Sequence, residues 1–565
     1  MGTGYKPLPI GVDDFEKLIT KGYYYVDKTW LIKELLDMKG EANLFTRPRR
    51  FGKTLNLSTL RCFFERVGEE ESRSHLFDGL KIMGAGDAYT SHQGRYPVIM
   101  LTLKSAKQET YALAYRCLRE AVANEFVRHN EVLASLATDG KKEKFCRLRD
   151  ELTDEGEYRT ALAFLSECLY RHYGEKAIIL IDEYDVPLEN AYYAGFYDEM
   201  IAFIRSLFES ALKTNPNLEF AVITGCLRIS RESIFTGLNN LEIASVLDDN
   251  YSEHFGFTSS EVNELLQFYG QGARMDKVRE WYDGYRFGST EVYNPWSVLN
   301  YTKALYTNPN AFPSPYWSNT SSNTIIRDLI KRSDTAVKDE IETLIAGGTI
   351  VKPVHEDITY GDIYQSKDNL WNFLFFTGYL KQINRWMEGN SQMMEMAIPN
   401  AEVAYIYENM IRNWFREVIS VRDLSVLYQA MLQGDAAVFQ EELSTLLRES
   451  ISYMDSREEF YHGFLLGVMG NMHEYLVKSN REAGDGRYDI CVRSLDVSQA
   501  PVILELKVSD TFKGMEGSCR QALRQIYDRH YDDVLPEEGY TEVLNYGIAF
   551  FRKQCRIEVE RKDLM

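Results

Sequence analysis

Short runs of consecutive apolar residues mark the first 260 residues of the chain, and they alternate with stretches of helical periodicity. Four runs predict buried strands, at residues 41–46, 98–103, 177–181 and 219–224. Strands that are apolar on both faces are typical of the centre of a parallel sheet covered by helices. The pattern therefore predicts an α/β layer structure for this part of the chain.

After about residue 261 the pattern becomes mostly helical. Residues 370–380 predict a helix, and residues 381–398 alternate around a Glu-Gly-Asn-Ser turn, which predicts a hairpin. A helix followed by a hairpin is the ending of a winged helix, although any connector of mixed structure would look the same. The last region reads as helix, hairpin, helix and strand, which is an α/β unit of its own. We predict four segments: residues 1–260, 261–400, 401–450 and 451–565.

Composition narrows the class of protein. The 565 residues include 64 Lys and Arg against 84 Asp and Glu, a net charge of −20, which argues against coating nucleic acid by bulk charge but leaves room for a local basic channel. Eight cysteines without a CxxC pair disfavour a zinc ribbon or a disulfide framework. Neither a membrane-spanning run nor a secretory signal is recognisable, so we expect a cytoplasmic protein without membrane contact.

The strongest chemical motif is the stretch TRPRRFGKT, which follows the first apolar run. A phosphate-binding loop needs a strand, a tight turn of backbone N–H groups, a lysine, and then a hydroxyl residue that opens a helix. Lys53 would reach the β- and γ-phosphates of ATP, and the Thr54 hydroxyl would hold Mg²⁺. The usual first glycine is replaced by arginine. The residues expected to surround the phosphates are Arg47, Pro48, Arg49, Arg50, Phe51, Gly52, Lys53 and Thr54; a basic surface turn is the alternative.

Two further strand ends carry polar residues. Asp182 and Glu183 follow the apolar run at 177–181, where a Walker B motif would place an acid for Mg²⁺ (Asp182) and one to polarise the attacking water (Glu183). Thr224 ends another run and would sense the γ-phosphate, while Arg228 or Arg231 would stabilise transferred charge. These residues would share the carboxyl edge of one parallel sheet, where ligands bind in such folds.

The C-terminal segment contains a second constellation. Asp489 and Glu505 are 16 residues apart, a spacing consistent with two neighbouring strands, and Lys507 shares a strand face with Glu505. Two converging carboxylates bind Mg²⁺, which activates water for phosphodiester hydrolysis, and the lysine positions that water or stabilises charge. An exposed hairpin with an ordinary salt bridge is the alternative, because this short pattern also arises by chance.

Several longer stretches carry a family resemblance. They are, in chain order, IGVDDFEKLI, YYVDKT, TRPRRFGKTLNLSTL, ILIDEYDVPL, TGCLRIS, WYDGYRFG, YNPWSVLN, LWNFLFFTGYL with IPNAEV, EFYHGFLLGV, GRYDI and ILELKV. In these stretches the chain resembles the bacterial AAA-ATPase-like proteins that are joined to a PD-(D/E)XK nuclease domain. The arginine in place of the first loop glycine is part of that family's pattern.

The resemblance implies a fold and a set of ligands. It implies a P-loop sheet core, a helical lid with a winged-helix region, and a C-terminal α/β nuclease domain that uses Mg²⁺ or Mn²⁺. It also implies that Glu459 completes the metal site from a helix, and that Gln521, Gln525 and Tyr531 form the polar helix of one nuclease branch. Asp27 and Lys28 become weak candidates for residues near the nucleotide.

Two functional hypotheses follow from these motifs. The first is an ATP-controlled, metal-dependent nuclease acting on nucleic acid, with DNA preferred as substrate. The second is a nucleotide-dependent switch that binds nucleic acid or a protein partner without cleaving it. From Ile451 onward there are 15 basic and 20 acidic residues, so other parts of the chain, a homo-oligomer or a regulatory partner would have to supply phosphate contacts.

Overall fold

The computed structural model describes residues 5–68, 71–136, 138–228, 234–235, 238–317, 335–356, 366–409, 423–449, 458–470, 472, 475–483, 486–494 and 496–564. The described chain forms two compact units. The first contains residues up to 317 and residues 350–405; the second contains residues 335–349 and those from 406 onward. The first two predicted segments thus lie mostly within one unit, and the predicted helical connector belongs to the unit of the C-terminal domain. Each unit is described by itself.

A five-stranded parallel sheet forms the centre of the first unit. Its strands are β1 (Ala42–Thr46), β2 (Val98–Thr102), β3 (Ala177–Asp182), β4 (Leu218–Gly225) and β5 (Leu241–Ala244), in the order β2-β3-β4-β1-β5. The four predicted strands are confirmed, and β5 is an additional edge strand. Because β4 lies between β1 and β3, the carboxyl ends of these three strands are neighbours.

Helices cover this sheet and fill the long connection between β1 and β3. The α-helices are Phe15–Thr20, Trp30–Met38, Lys53–Phe64, Asp87–Thr90, Tyr111–Arg128, Asp139–Arg149, Glu155–Tyr158, Ala161–Tyr173, Val186–Ala194 and Tyr197–Phe208. Short 3-10 or π turns occupy Ser74–Phe77, Lys81–Gly84, Lys104–Ala106, Asn130–Ser135, Glu209–Lys213, Ser252–His254 and Gly272–Arg274. The result is the α/β architecture that the apolar runs predicted.

The remainder of the first unit combines helices with two small antiparallel sheets. Its helices are Ser259–Phe268, Met275–Tyr282, Pro295–Thr307 and Lys367–Phe376; one sheet pairs β6 (Tyr285–Phe287) with β7 (Thr290–Val292). The other has the order β8-β10-β9, with β8 at Ile350–Pro353, β9 at Lys381–Glu388 and β10 at Ser391–Ala397. The predicted helix and hairpin are therefore present, and their assignment as a winged helix stays a prediction.

The second unit is built around a mixed five-stranded sheet. Its strands are β11 (Tyr475–Ala483), β12 (Gly486–Ser494), β13 (Val502–Val508), β14 (Glu542–Phe551) and β15 (Gln554–Asp563), in sequential order. Only β13 and β14 are parallel, and the helix Met515–Asp528 connects them. The other α-helices are Thr335–Ile345, Ser425–Gln433, Ala436–Glu449 and Glu458–Met469; 3-10 turns lie at Phe512–Gly514 and Pro536–Glu538.

One apolar core joins the connector helices to this sheet. Leu427, Met431 and Leu443 from two of these helices pack in the same buried cluster as Leu504 and Ile548 from the strands. The connector therefore contributes to the core of the C-terminal unit rather than standing apart from it. None of the helices in the described part of the chain has the length and apolar character that crossing a membrane requires.

Candidate nucleotide and metal sites

The predicted phosphate-binding turn joins the carboxyl end of β1 to the helix Lys53–Phe64. Two residues of the turn adopt left-handed backbone conformations, Arg50 with φ 71° and Gly52 with φ 85°. Glycine suits the second position because it has no Cβ to oppose a positive φ. The N–H groups of the first helical turn lack intrahelical acceptors, so this helix start is suited to anion binding.

Asp182, the last residue of β3, accepts hydrogen bonds from two hydroxyl groups. Thr54 Oγ1 lies 2.7 Å from Asp182 Oδ2, and Thr224 Oγ1 lies 2.6 Å from Asp182 Oδ1. The three residues come from the carboxyl edge of three adjacent strands, β1, β3 and β4. The structure thus brings together three predicted site residues, and the pairing of a hydroxyl with a carboxylate fits the oxygen ligands that Mg²⁺ prefers.

Lys53 is buried, and its ammonium group lies inside the turn. Lys53 Nζ donates hydrogen bonds to the main-chain oxygens of Arg47 (2.7 Å) and Pro48 (2.9 Å), and it lies 3.6 Å from Cys226 Sγ. The predicted lysine is therefore in the turn. A phosphate group would compete with these two carbonyl oxygens for the same ammonium group.

Glu183 follows Asp182 in a strained conformation. Its φ of 53° is unusual for a residue other than glycine, and such strain is concentrated at functional positions. Burial raises the pKa of the Glu183 carboxyl, and the neighbouring Asp182 charge raises it further. A carboxyl whose pKa is moved toward neutrality is suited to accepting a proton from water.

The Arg47 side chain is enclosed within the first unit. It is fully buried, and Nη1 donates to the main-chain oxygens of Thr46 (3.0 Å) and Ala244 (2.7 Å). The guanidinium lies 5.1 Å from the ring centre of Phe255 and 5.0 Å from that of Phe287. Burial lowers its pKa to about 9. The Arg47 side chain therefore links β1 to β5, and its place among the residues that surround the phosphates stays a prediction.

Four other side chains of the turn contact the rest of the first unit. Arg49 Nη2 lies 2.5 Å from Glu189 Oε2, and the Arg50 guanidinium lies 4.3 Å from the ring centre of Trp296. The ring of Phe51 packs 5.0 Å from Tyr285 and 5.2 Å from Phe287. A Cβ added at Gly378 would lie 3.0 Å from Pro48 Cβ. The turn thus contacts one helix within the parallel-sheet region, through Glu189, and several residues that follow that sheet in sequence.

Asp185 is a site residue that the sequence reasoning missed. Its Oδ2 accepts from the backbone N–H groups of Cys226 (2.7 Å) and Leu227 (3.2 Å), directly after β4. This carboxylate therefore fixes the segment after Thr224 against the segment after Asp182. The indication in the sequence was its place in the same acidic IDEYD stretch.

The remaining candidates of the first unit are held in other contacts. Arg228 Nη1 lies 2.7 Å from Glu356 Oε2, and Arg231 lies outside the described residues. Asp27 accepts from the backbone N–H groups of Thr29 and Lys81, while Lys28 pairs with Glu261 at 2.6 Å. These contacts give Asp27 and Lys28 a role in joining segments of the fold.

In the second unit, Asp489 and Glu505 lie on the antiparallel neighbours β12 and β13. The paired residues run from Val492↔Val502 to Ile490↔Leu504, one residue short of both acids. Asp489 Oδ2 accepts from the backbone N–H of Leu506 at 2.9 Å. The two predicted acids therefore meet where the strand pairing ends.

Glu505 is buried but incompletely bonded. It is 2% exposed, and its Oε2 has no hydrogen-bond partner among the described residues. Its pKa is raised to about 7, chiefly by burial and also by the Asp489 charge, while Lys507 acts in the opposite direction. Lys507 Nζ lies 3.4 Å from Glu505 Oε1. A buried carboxylate oxygen left open beside a second acid fits a divalent cation.

The structure describes the side chains of only some of the other residues predicted for this site. Glu459 lies on the helix Glu458–Met469, and its side chain is outside the described part. Gln525 Nε2 lies 3.3 Å from the Tyr531 hydroxyl, whose pKa is raised by burial and by the Glu505 and Asp489 charges. Gln521 is exposed one helical turn earlier. Among described side chains, no group of three His, Cys, Asp or Glu residues converges, so the site shows two acids there.

Comparisons with known proteins agree with this division of the chain. Residues 9–235 match the family described as "Predicted AAA-ATPase", and residues 456–560 match the PD-(D/E)XK nuclease superfamily. A relative from Azotobacter chroococcum mcd 1, named "Uncharacterized protein in vnfD 5'region", is 29% identical over 561 residues, covering 97% of each chain. These two matches support a chain that joins a region similar to the predicted AAA-ATPase family to a region similar to the PD-(D/E)XK nuclease superfamily.

Proposed function

We propose that this protein binds and hydrolyses ATP in the cytoplasm and thereby controls a metal-dependent nuclease that cleaves phosphodiester bonds, with DNA as the substrate. The observation that carries this proposal is the Glu505 carboxylate, which is buried with one open oxygen beside Asp489 and Lys507. Burying a carboxyl in this way costs free energy unless a cation or proton compensates it.

At the nuclease site the chain's own residues have distinct roles. Asp489 and Glu505 would hold Mg²⁺ or Mn²⁺, and Glu459 would add a third carboxylate from its helix. A divalent ion bound there supplies an activated water and compensates charge on the phosphate. Lys507 shares a strand with Glu505, so its ammonium group would orient the water or the scissile phosphate.

At the nucleotide site the roles follow from the hydrogen bonds. Lys53 would exchange the carbonyl oxygens of Arg47 and Pro48 for phosphate oxygens, and Thr54 with Asp182 would hold Mg²⁺. Glu183 would accept a proton from the attacking water, and Thr224 shares the Asp182 carboxylate, so it would respond to the γ-phosphate. Bound Mg²⁺ supplies charge compensation for the phosphates.

Control by ATP is supported by the contacts of the turn. Pro48 packs against Gly378, Arg50 against Trp296, and Phe51 against Tyr285 and Phe287, all of the same unit. If phosphate binding reshapes the turn, these packed partners must move with it, which would pass nucleotide state to the lid and winged-helix region.

The alternative is a nucleotide-dependent switch that binds nucleic acid or a protein without cleaving it. The acidic balance after residue 450, 15 basic against 20 acidic residues, favours it because phosphate backbones are bound chiefly by Lys and Arg. Under this alternative the same ATP site would control binding alone, through a homo-oligomer or a regulatory partner.

The decisive experiment is cleavage of plasmid and single-stranded DNA by the purified full chain, with Mg²⁺ or Mn²⁺, with and without ATP. We expect cleavage that Glu505→Gln abolishes and that loses its ATP dependence in Lys53→Ala. Cleavage that survives in Glu505→Gln would rule out the assigned site. Persistent ATP binding without cleavage, together with ATP trapping by Glu183→Gln, would favour the switch.

A further inference from the structure

The two acids of the nuclease site lie at a place where β12 and β13 stop pairing. Beyond Ile490↔Leu504 the backbone groups of these strands need other partners. The N–H of Leu506 is bonded to the Asp489 carboxylate, and the carbonyl oxygen of Asp489 is bonded to a side chain from the helix Glu458–Met469. Side chains thus bond to backbone groups of both strands beside the two acids.

The side chain that takes the Asp489 carbonyl is His462. Its Nε2 lies 3.0 Å from the Asp489 oxygen and 3.3 Å from Ser479 Oγ on β11. A carbonyl oxygen can only accept a hydrogen bond, so Nε2 must carry the proton and donate it. The same proton is shared with the Ser479 oxygen, and His462 therefore fastens its helix to both β11 and β12.

We propose that His462 is a positioning residue of the metal site, an inference that rests on the proposed nuclease function. By donating to the Asp489 carbonyl, His462 fixes the backbone of β12 from which the Asp489 carboxylate projects. No role for imidazole as a ligand or an acid is required. Outer contacts of this kind commonly change metal affinity because they orient the ligands.

The helix that carries His462 also carries Glu459. The two residues are three positions apart, so they lie one turn from each other on neighbouring positions of the helix surface. The hydrogen bond to Asp489 therefore sets the distance between the helix that would supply the third carboxylate and the strands that supply the other two. His462 therefore connects the helix that carries Glu459 to the strands that carry Asp489 and Glu505.

The test measures Mn²⁺ binding to the full chain by calorimetry and, separately, unfolding midpoints in EDTA. His462→Gln and His462→Asn form a matched pair that differs by one methylene. The glutamine amide nitrogen is as many bonds from Cα as Nε2, so it still reaches the Asp489 carbonyl, whereas the asparagine amide does not. Ser479→Ala, which removes only the second acceptor, and Glu505→Gln are the controls.

We expect His462→Gln and Ser479→Ala to bind Mn²⁺ within about threefold of the original chain, and His462→Asn to bind it about 10- to 100-fold more weakly with a similar midpoint in EDTA. Equal loss in both histidine variants would overturn the inference, because the imidazole itself would then be needed. Equal retention in both would overturn it as well. If neither the original chain nor Glu505→Gln binds Mn²⁺, the proposed nuclease site falls, and this inference with it.

Discussion

At the scale of single residues, the predicted phosphate-binding turn depends on a side chain that its motif does not explain. Arg47 stands where many phosphate-binding loops have glycine, yet it is buried between Phe255 and Phe287 and bonds to Ala244 on β5. The Arg47 side chain fills the space between these two rings. The turn therefore relies on a buried arginine for its support rather than on glycine flexibility at this position.

Replacing Arg47 by glycine should harm the protein even though it restores the commoner loop motif. We expect Arg47→Gly to destabilise the first unit by roughly 2–4 kcal/mol, because it leaves a cavity and frees buried carbonyl groups. Arg47→Met keeps most of the volume and removes a charge that burial already disfavours, so its cost should be smaller. Urea unfolding of both variants checks this, and equal stability of the two would contradict it.

Metal binding should depend on pH through Glu505. Its pKa is raised from 4.5 to about 7, so the carboxyl keeps its proton below pH 7 and a metal ion must displace it. We expect Mn²⁺ affinity to fall about tenfold per pH unit below 7 and to level off above it. The free energy of unfolding in EDTA should change in the opposite direction. Because the fold favours the protonated Glu505 carboxyl, the free energy of unfolding should fall as the pH rises from 4.5 through 7. Calorimetry between pH 5.5 and 8 measures the first effect, and Glu505→Gln should remove both; pH-independent binding would contradict this assignment.

At the scale of elements, the phosphate-binding turn belongs as much to the later helices as to the sheet. Gly378 lies two residues after the end of the helix Lys367–Phe376. A Cβ added at Gly378 would lie 3.0 Å from Pro48 Cβ. Trp296, on the helix Pro295–Thr307, also contacts the turn, because its ring centre lies 4.3 Å from the Arg50 guanidinium. Packed elements rather than the turn sequence alone hold the turn in place.

A methyl group at Gly378 should therefore weaken ATP binding from a distant position in the chain. Gly378 has φ 90°, and Gly389, in the β9–β10 hairpin, has φ 60° with open space around it. Alanine at either position strains the backbone by about 1 kcal/mol, but only Gly378→Ala presses on Pro48. We expect ATP affinity to fall several-fold in Gly378→Ala and to stay unchanged in Gly389→Ala. Titration with a fluorescent ATP analogue measures this, and equal affinities would contradict the coupling.

At the scale of the whole molecule, the chain has two compact units, each with its own sheet and core. We expect two unfolding transitions in calorimetry, because separate cores unfold separately. Relative to Mg²⁺ alone, ATP with Mg²⁺ should raise one midpoint, and Lys53→Ala should remove that shift. Mn²⁺ should raise the other, and Glu505→Gln should remove it. A single transition that both ligands shift would contradict this prediction.

Much of this architecture could be predicted from sequence, and the reason is physical. β1 and β3 are buried on both faces, as strands at the centre of a parallel sheet require, and β2 and β4 are buried at most positions, so all four appear as apolar runs. β5 was missed because Leu241–Ala244 is short and only partly buried. β11 was missed because its sequence, YLVKSNREA, becomes polar after three residues.

By itself, the sequence determined which residues are candidates for the chemistry: the lysine and hydroxyl at a helix start, acids after apolar strands, and the Asp489, Glu505 and Lys507 pattern. These patterns follow from the order of residues along a single strand or turn. Only the tertiary structure decided that Arg47 bonds to Ala244 on β5, that Asp185 ties two strand ends together, and that His462 meets the Asp489 carbonyl. Those contacts join residues between 27 and 197 positions apart, and local periodicity carries no information about which distant element will pack against a given side chain.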